Sequence, residues 1–477
     1  MVNKEGIFVR QEVRSLGDDT LEWYARAVAR MWERPATETT SWIYQAAIHG
    51  SYDTPKDLYN QCKHGSWYFL AWHRMYLYYF ESIVRAAIVE LDGPADWSLP
   101  YWNYAIDREH ATLPPAFREP ADAETNPLYV VERHQAEGPI PGINEGAALS
   151  KRITSQAEAE ALACTHFIGN TLEEGFGGGR GPYEAKLWEA TGMVELNPHN
   201  NVHNAVGKGG WMSDENTAAL DPIFWLHHAN IDRIWALWQQ SFGAPGESEW
   251  QGQQFQFFDA HGKKVGKTCG KVLDTIADLN YEYDSIAQAQ PGPAGGPEPE
   301  LAMVDPEPKV IATADGPTLH GGRQGVPVNF EPQAQNEVLE ASRESDPRRL
   351  YLNIENIEGE KNPGTVYGVY VNLPENPDPA MLDAHYAGSV SFFGLERTND
   401  PQADEHPHAL RYSLEVGDLL RSLGGGRQYE EEEVHVTFLP ETLLPPEGAP
   451  TMESLAFAEE PADEPPVQIG RVSLSVR

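Results

Sequence analysis

The sequence has 477 residues, which is too long for a single hydrophobic core and predicts two or three domains. Its formal net charge of −37 opposes binding to nucleic acids and to anionic membranes, because both surfaces would repel it. Hydrophobic residues make up 40% of the chain, so we expect a globular protein, and three cysteines are too few for a disulfide framework.

The N-terminal stretch "MVNKEGIFVRQEVRSL" lacks the apolar segment of a signal peptide. No apolar run in the chain approaches the length of a membrane span. We therefore expect a protein that is cytoplasmic or that is exported without a signal peptide of its own. The sequence carries no indication of an oligomeric state.

The first part of the chain, residues 1–286, is rich in Trp and His and is typical of helices joined by long loops. An acidic start and a proline stop predict a helix over about 17–34. Further helices are predicted over 66–92 and 220–242, the last beginning at an Asp-Pro pair.

Three histidines lie within 25 residues of one another, at His49, His64 and His73. His64 and His73 are nine residues apart, which on a straight helix is about 900° and places them on opposite faces. Ser66 is a good N-cap, so we expect His64 in the incoming loop and His73 on the helix. Each histidine alone is more often a core residue than a ligand, but three among bulky aromatic residues favour a metal site.

The stretch "ELNPHNNVHNAVG" places His199 and His203 four residues apart, on one face of a helix and close enough to share an ion. The same spacing occurs in the zinc peptidase motif HExxH. Here Asn200 stands where that motif has its catalytic glutamate, so a zinc peptidase fits poorly.

The predicted helix "LDPIFWLHHANIDRIWALWQ" carries His228 and Asp232 four residues apart on one face. We expect Asp232 to accept an N–H from a ligand histidine and so to fix its orientation. His227 points about 100° away and is expected to be a supporting residue. Six histidines with no clear thiolate or carboxylate among the ligands suit copper or zinc, and the surrounding aromatic rings would shield such ions from water.

The composition changes at 287–300, where "AQAQPGPAGGPEPE" has the Pro, Gly and acidic content of a linker. Beyond it, short alternating segments predict strands over 349–357, 365–373, 385–394, 433–440 and 471–477. We therefore predict a mainly α domain over 1–286 and an antiparallel β-sandwich over 301–477.

At these residues the sequence resembles the type 3 copper proteins, which comprise tyrosinases, catechol oxidases and molluscan haemocyanins. "HGSWYFLAWHRMYLYYFE" at 64–81 matches the first copper signature of this family, and "DPIFWLHHANID" at 221–232 matches the second. Tyr281 and Tyr283 are similar to the Y-x-Y that closes the family's catalytic core. The likeness covers about residues 40–285.

The resemblance implies two copper ions as cofactors, dioxygen as co-substrate and small phenols as substrates. Two sets of three histidines would hold the ions, namely His49, His64 and His73 for the first and His199, His203 and His228 for the second. The spacing of Cys62 and His64 is similar to the C-x-H that forms a thioether in fungal tyrosinases and haemocyanins; the alternative is an ordinary buried thiol. Delivery of the metal by a copper chaperone is compatible with this family.

The resemblance also implies roles for residues around the metals. Glu195 and Asn200 match the pair that holds a water able to accept a phenol proton, with Glu189 as an alternative to Glu195. The surroundings of the metals and the substrate pocket are assigned to four further residues: Phe224, which would lie over the copper pair, and Asp232, Glu215 and Asn204.

The C-terminal segments resemble the β-sandwich that follows the core in plant, fungal and haemocyanin members, where one side chain plugs the mouth of the active site. The loop at 374–386 offers Met381 and Leu382 for that role. The activity implied is that of a tyrosinase, which hydroxylates monophenols and oxidises diphenols to quinones. A catechol oxidase without the first step and a haemocyanin-like oxygen carrier are the alternatives.

Overall fold

The fold is taken from a computed structural model that describes residues 2–17, 19–137, 140–169, 175–179, 191–286, 309–331, 349–396, 410–424, 433–446 and 464–476. The predicted linker at 287–300 and the alternative Glu189 lie outside these residues. Contacts divide the chain into two compact units. The first comprises Met1–Gly169, Gly175–Glu298 and Leu443–Ala449, and the second comprises Asn170–Glu174, Pro299–Thr442 and Pro450–Arg477.

The first unit is mainly helical. Its described α-helices are α1 (Asp19–Glu33), α2 (Trp42–His49), α3 (Phe69–Glu90), α4 (Ser155–Ala163), α5 (Asn201–Gly207), α6 (Pro222–Phe242) and α7 (Ser248–Gly252). Two pairs of short strands accompany them: β1 (Phe8–Arg10) pairs in parallel with β4 (Tyr281–Tyr283), and β2 (Gln254–Phe258) pairs antiparallel with β3 (Lys264–Thr268).

Helices α3 and α6 form the centre of this unit. In α3, 16 of 22 residues are buried, and in α6, 15 of 21 are buried, so both helices are covered on nearly all sides. Helix α1 buries only the stripe Tyr24, Ala27, Val28 and Met31, as expected of a helix at the surface.

The residues around the N-termini of the two central helices show where each helix begins. The Asp221 carboxylate caps α6 by accepting from the Ile223 N–H, and Pro222 occupies the first turn. The predicted N-cap role of Ser66 is wrong, because α3 starts at Phe69 with Tyr68 as its N-cap; Ser66 Oγ accepts the Tyr68 N–H in the turn before the helix. The three predicted helices are confirmed, each with shifted ends.

A buried ionic network joins the two central helices to the strand pair. Asp232 on α6 accepts hydrogen bonds from Arg74 on α3, at 2.5 Å, and from Arg10 on β1, at 3.3 Å. The hydroxyls of Tyr281 and Tyr283 donate to the same carboxylate at 2.5 and 2.6 Å. Distant parts of the chain therefore meet at one buried carboxylate.

A segment from late in the chain also belongs to the first unit. Ala148 and Leu444 exchange two backbone hydrogen bonds, each of 2.8 Å. Ala148 also bridges Thr112, so that Leu444 adds a third short strand to this pair. Arg108 donates to the Pro445 carbonyl beside this bridge.

The second unit contains an antiparallel sheet. Its described strands are β5 (Lys309–Asp315), β6 (Thr318–Leu319), β7 (Gln324–Phe330), β8 (Leu350–Glu358), β9 (Tyr367–Val371), β10 (Tyr386–Val390), β11 (Leu410–Glu415), β12 (Glu433–Pro440) and β13 (Val467–Val476). Two short helices are α8 (Pro379–His385) and α9 (Gly417–Gly424).

These strands follow the order β10-β9-β12-β7-β5-β13-β8-β11, and β6 pairs with β13. The two end strands, β10 and β11, lie close to each other. Tyr412 on β11 donates its hydroxyl to the carbonyl of Ser391, next to β10. The sheet thus curls back on itself around an apolar interior. The predicted mainly α part followed by an antiparallel β part is confirmed.

The predicted loop at 374–386 is wrong in part, because it contains α8. Asp378 caps this helix by accepting from the Met381 N–H, and Pro379 stands in its first turn. Within the described ranges, no helix combines the length and the apolar character needed to span a bilayer.

We predict that Asp232→Asn destabilises the protein by about 3–5 kcal/mol, because it leaves the buried Arg74 guanidinium beside a neutral amide, whereas Arg10 keeps its ion pair with Glu81 at 2.6 Å. Tyr281→Phe should cost only about 1 kcal/mol, the value of one hydrogen bond. Denaturant unfolding of both variants checks this, with the exposed Glu33→Gln as a control expected to change little. Equal stability of Asp232→Asn and the natural protein would contradict the prediction.

The network also predicts a dependence on pH. Burial alone would raise the pKa of Asp232, but the charges of Arg74 and Arg10 lower it below its ordinary value. Its stabilising contribution should be complete above the unfolded pKa of about 3.9 and should be lost as the pH falls through the lower folded value. This loss of stability at low pH should be absent in the Asp232→Asn variant.

Candidate metal centre

All six histidines predicted to be ligands meet in one buried cluster, each at most 3% exposed. In the first set, the ring centroids lie 5.2 Å apart for His49 and His64, 5.6 Å for His49 and His73, and 5.3 Å for His64 and His73. These rings come from the end of α2, the loop before α3 and the first turns of α3.

The second set is equally compact. The centroid of His199 lies 4.5 Å from that of His203 and 4.8 Å from that of His228, and the rings of His203 and His228 are 5.3 Å apart. The two sets adjoin, because His73 and His228 stack with centroids 4.5 Å apart.

The local fold around His199 differs from a simple helix. Glu195–Asn200 forms a π-helical turn with a kink at Asn197, whose φ of −138° and ψ of 118° are not helical, and α5 starts only at Asn201. His199 therefore lies before the regular helix. Its ring still meets that of His203, as the spacing of four residues predicts.

Oxygen atoms fix the orientation of five of these rings through Nδ1. Because an amide or carboxylate oxygen accepts, each Nδ1 carries the hydrogen, and Nε2 of the neutral ring keeps its lone pair. The acceptors are Glu215 O for His49 at 2.9 Å, Glu215 Oε1 for His64 at 2.7 Å, Phe69 O for His73 at 2.8 Å, Asn200 Oδ1 for His199 at 2.8 Å and Met212 O for His203 at 2.7 Å.

The environment keeps four of the rings uncharged. Burial lowers the pKa of His73, His199, His203 and His228 well below the ordinary value, and neighbouring imidazoles lower it further in each case. Neutral imidazoles in a dry pocket are the form that binds metal.

The donor set fits copper, although the groups of adjacent ligand atoms overlap and do not coincide with the two predicted sets. Among the described residues, three groups have ligand atoms within 4.8 Å of one another: His199, His203, His227 and His228; His49, Cys62 and His64; and His49, His73 and His228. Imidazole nitrogen suits copper, and the buried Nε2 lone pairs supply it without a carboxylate. The cluster therefore offers enough imidazole nitrogens for two copper ions.

Aromatic rings enclose the cluster. Phe69 lies 4.5 Å from His73 and 4.8 Å from His199, measured between ring centroids. Phe224 lies 4.2 Å from His228 and 4.9 Å from His49, measured between ring centroids, and its place over the metals stays a prediction. These side chains exclude water from the imidazoles.

Cys62 lies at the edge of the first set. Its Sγ is 3.4 Å from His64 Nδ1 and donates to Glu215 Oε1 at 2.7 Å. Glu215 thus contacts Cys62 and His64 through its carboxylate and His49 through its carbonyl. The resemblance placed Glu215 only in the general surroundings, because no sequence pattern connects it to residues about 150 positions earlier.

Glu195 is fully buried and accepts the Gly65 N–H through both carboxylate oxygens, at 2.8 and 3.1 Å. Burial raises the pKa of Glu195 well above its ordinary value, the Gly65 N–H lowers it, and the Glu215 charge raises it. The Asn200 oxygen is engaged by His199, while its Nδ2 has no hydrogen-bond partner within the described part of the chain. Asn204 is buried on α5.

The prediction that Asp232 orients a ligand histidine is wrong. The hydrogen bonds of Asp232 go to Arg10, Arg74 and the two tyrosines of β4, one turn of α6 beyond His228. His227, predicted to be a supporting residue, is buried with its ring 5.5 Å from that of His199 and 4.9 Å from that of His203, and burial lowers its pKa to about 3.

Comparison with known proteins agrees with this site. Residues 39–241 match the family model described as the common central domain of tyrosinase. Residues 308–477 match a domain of unknown function. The matched central domain contains all six histidines of the cluster.

Among the similar curated proteins, tyrosinase HcTyr1 of Hahella sp. (strain CCB-MM4) is 32% identical over 468 residues, covering 91% of this chain and 95% of that protein. The chloroplastic (+)-larreatricin hydroxylase of Larrea tridentata is 29% identical over 439 residues, covering 86% of this chain and 71% of that protein.

Solved structures share the fold. Recombinantly expressed latent aurone synthase, a polyphenol oxidase, aligns with a TM-score of 0.62 at 19% identity, covering 99% of this chain and 90% of that one. Latent apple tyrosinase aligns with a TM-score of 0.58 at 22% identity, covering 100% of this chain and 98% of that one. The chain therefore belongs to the tyrosinase and polyphenol oxidase family, whose cofactor is a pair of copper ions.

Proposed function

We propose that this copper-dependent phenol oxidase both ortho-hydroxylates monophenols and oxidises o-diphenols to o-quinones with dioxygen. The observation that carries the proposal is the buried cluster of six imidazoles with Glu195 and Asn200 beside it. Two similar proteins are named as a tyrosinase and a hydroxylase, which supports the first of the two activities.

In this proposal, His49, His64 and His73 hold one ion, and His199, His203 and His228 hold the other. When bound, the copper pair exchanges electrons with dioxygen. The protein orients five of the six rings through their Nδ1 hydrogens and excludes water with Phe69 and Phe224. Because the rings are held before the metal arrives, little reorganisation is needed on binding.

A monophenol must lose its proton before its oxygen can bind a metal well, because its pKa is near 10. We propose that a water held between Glu195 and the Asn200 Nδ2 accepts that proton and passes it to the carboxylate. The raised pKa of Glu195 makes the carboxylate a better proton acceptor than an exposed one. A diphenol has a second hydroxyl and depends less on this pair.

The alternative is a catechol oxidase that lacks the hydroxylation step. Several similar proteins are named polyphenol oxidases, among them polyphenol oxidase II of Ipomoea batatas at 25% identity. In that case Glu195 and Asn200 would serve only to support the loop at Gly65 and the ring of His199. The ratio of the two activities distinguishes these functions.

We also propose that Cys62 Sγ forms a thioether with the ring of His64, to which it is adjacent. The new S–C bond replaces one S–H and one C–H bond, so two hydrogens are lost, and dioxygen at the copper site takes up the two electrons. The bond would fix the only ligand of the first set that lies in a loop.

Shielding of the site by Met381 or Leu382 stays a prediction. Within the second unit, Leu382 packs against Tyr370, Leu373 and Leu439. Met381 is 40% exposed on α8, so it is the more available of the two side chains.

We predict that His73→Ala and His228→Ala each reduce the copper content from two ions to one per chain and abolish phenol oxidation. The reason is that each variant removes one of three imidazoles from a different ion. Metal analysis and oxygen uptake check this, with the exposed His261→Ala as the matched control. A variant that keeps two coppers and its activity would refute the ligand assignment.

For Cys62, we expect the copper-matured protein to be lighter by two hydrogens than its sequence mass. After unfolding, Cys62 should resist alkylation, whereas the buried Cys269 should react and so serves as an internal control. Peptide mapping by mass spectrometry checks both. Free alkylation of Cys62 in matured enzyme would exclude the thioether.

Glu195→Gln and Asn200→Leu should lower monophenol turnover far more than diphenol turnover. Loss of one proton-transfer group costs about 10²–10⁴ in rate. The measurement is the ratio of the two turnover numbers at equal copper content, with the exposed Glu249→Gln as control. If both activities fall in proportion, the two residues are structural supports and the catechol oxidase alternative is favoured.

A further inference from the structure

A line of aromatic rings starts at the metal cluster and leads away from it. Trp72 contacts His73 edge-on, with ring centroids 4.7 Å apart. Trp72 in turn lies 4.9 Å from Tyr76, and Tyr76 lies 4.7 Å from Trp225. All of these rings are buried.

The line continues to the surface. Trp225 meets Trp42 with centroids 6.0 Å apart, and Trp42 stacks on Trp32 at 6.3 Å with an angle of 30° between their planes. Trp32 stands on α1 and is 37% exposed, so the last indole of the line is accessible to molecules in solution.

Packing alone does not explain the indole of Trp225, whereas the indole N–H of Trp42 donates to the Leu220 carbonyl at 3.0 Å. The Nε1–H of Trp225 is buried and has no hydrogen-bond partner in the part of the chain that the structure describes. An unpaired buried donor carries a desolvation cost that a phenylalanine ring would avoid. Tryptophan and tyrosine differ from phenylalanine in being readily oxidised by one electron.

We propose that Trp72, Trp225, Trp42 and Trp32 form a route for single electrons from the surface to the metal centre. The proposal rests on the proposed function, because it requires an oxidising metal pair next to His73. When hydrogen peroxide oxidises the metal site and no phenol is bound there, Trp72 gives one electron to the site, and this electron is replaced in turn from Trp225, Trp42 and Trp32.

The electrons balance at the surface. An o-diphenol in solution gives one electron to oxidised Trp32 and releases one proton to water, which restores the indole. Two such donations supply two electrons and two protons, which reduce one hydrogen peroxide to two molecules of water, and no bond within the protein forms or breaks. The route thus protects the ligands from oxidation between turnovers.

Tyr76 serves in this route as a bridge between two indoles. Its hydroxyl donates to the Gln45 carbonyl. A carbonyl oxygen is a poor base, so the phenol keeps its proton. An oxidised Tyr76 is therefore short-lived, and the electron passes on between the two indoles.

The test is to map oxidised residues in copper-loaded enzyme treated with dilute hydrogen peroxide without any phenol. Peptide mass spectrometry should find oxygenated tryptophan at Trp32. The half-exposed Trp23 on the same helix should stay intact. In Trp42→Phe, oxidation of Trp32 should fall to the level of copper-free protein, and oxidation should appear instead at Trp72 or its histidine neighbours.

Trp23→Phe is the matched control and should leave the pattern unchanged. Should Trp42→Phe fail to fold, Trp32→Phe at the surface replaces it, with oxidation expected to accumulate at Trp42 and Trp225. Equal oxidation of Trp32 in copper-free and copper-loaded protein, or in Trp42→Phe, would overturn the route. Copper content and phenol turnover are measured on the same samples. Two bound coppers and normal turnover without oxygenated Trp32 would refute the route alone. Absence of bound copper would refute the proposed function and the route with it.

Discussion

Burying six uncharged imidazoles together is the constraint on which the first unit depends. A neutral ring has one N–H, and in a dry interior that hydrogen must reach an oxygen or its burial is costly. For five of the rings the oxygen comes from Glu215, Phe69, Asn200 or Met212. Three of these acceptors, Glu215, Asn200 and Met212, lie outside the α-helices. The segments between the α-helices are therefore as necessary to the site as the helices that carry the rings.

Glu215 and Asp232 show two different uses of a buried carboxylate. Glu215 stands behind the first histidine set and joins His49, His64 and Cys62, so it acts on the geometry of the ligands directly. Asp232 sits one turn of α6 past His228 and ties α3, α6 and β1 together through two arginines. It therefore sets the positions of the helices, and only through them the positions of the rings.

Much of the site was predictable because its information is local. The spacing of His199 and His203, the Asp-Pro start of α6 and the copper signatures lie within short stretches of sequence. The two arginine partners of Asp232 and the role of Glu215 were not predictable, since each depends on residues about 150 or more positions away. The strand order, in which β13 lies between β5 and β8, was not predictable for the same reason. Alternating apolar and polar residues predict a strand but do not specify which strands pair with it.

The bridge between Ala148 and Leu444 has a consequence for synthesis of the chain. Residues 443–446 complete a three-stranded arrangement in the helical unit, yet they are made after most of the second unit. When only the first 300 residues have been synthesised, Leu444 is not yet present. The backbone of Ala148 then lacks the hydrogen bonds that it later forms with Leu444. The helical unit reaches its final set of hydrogen bonds only late in translation, so its maturation is timed by the length of the chain that follows it.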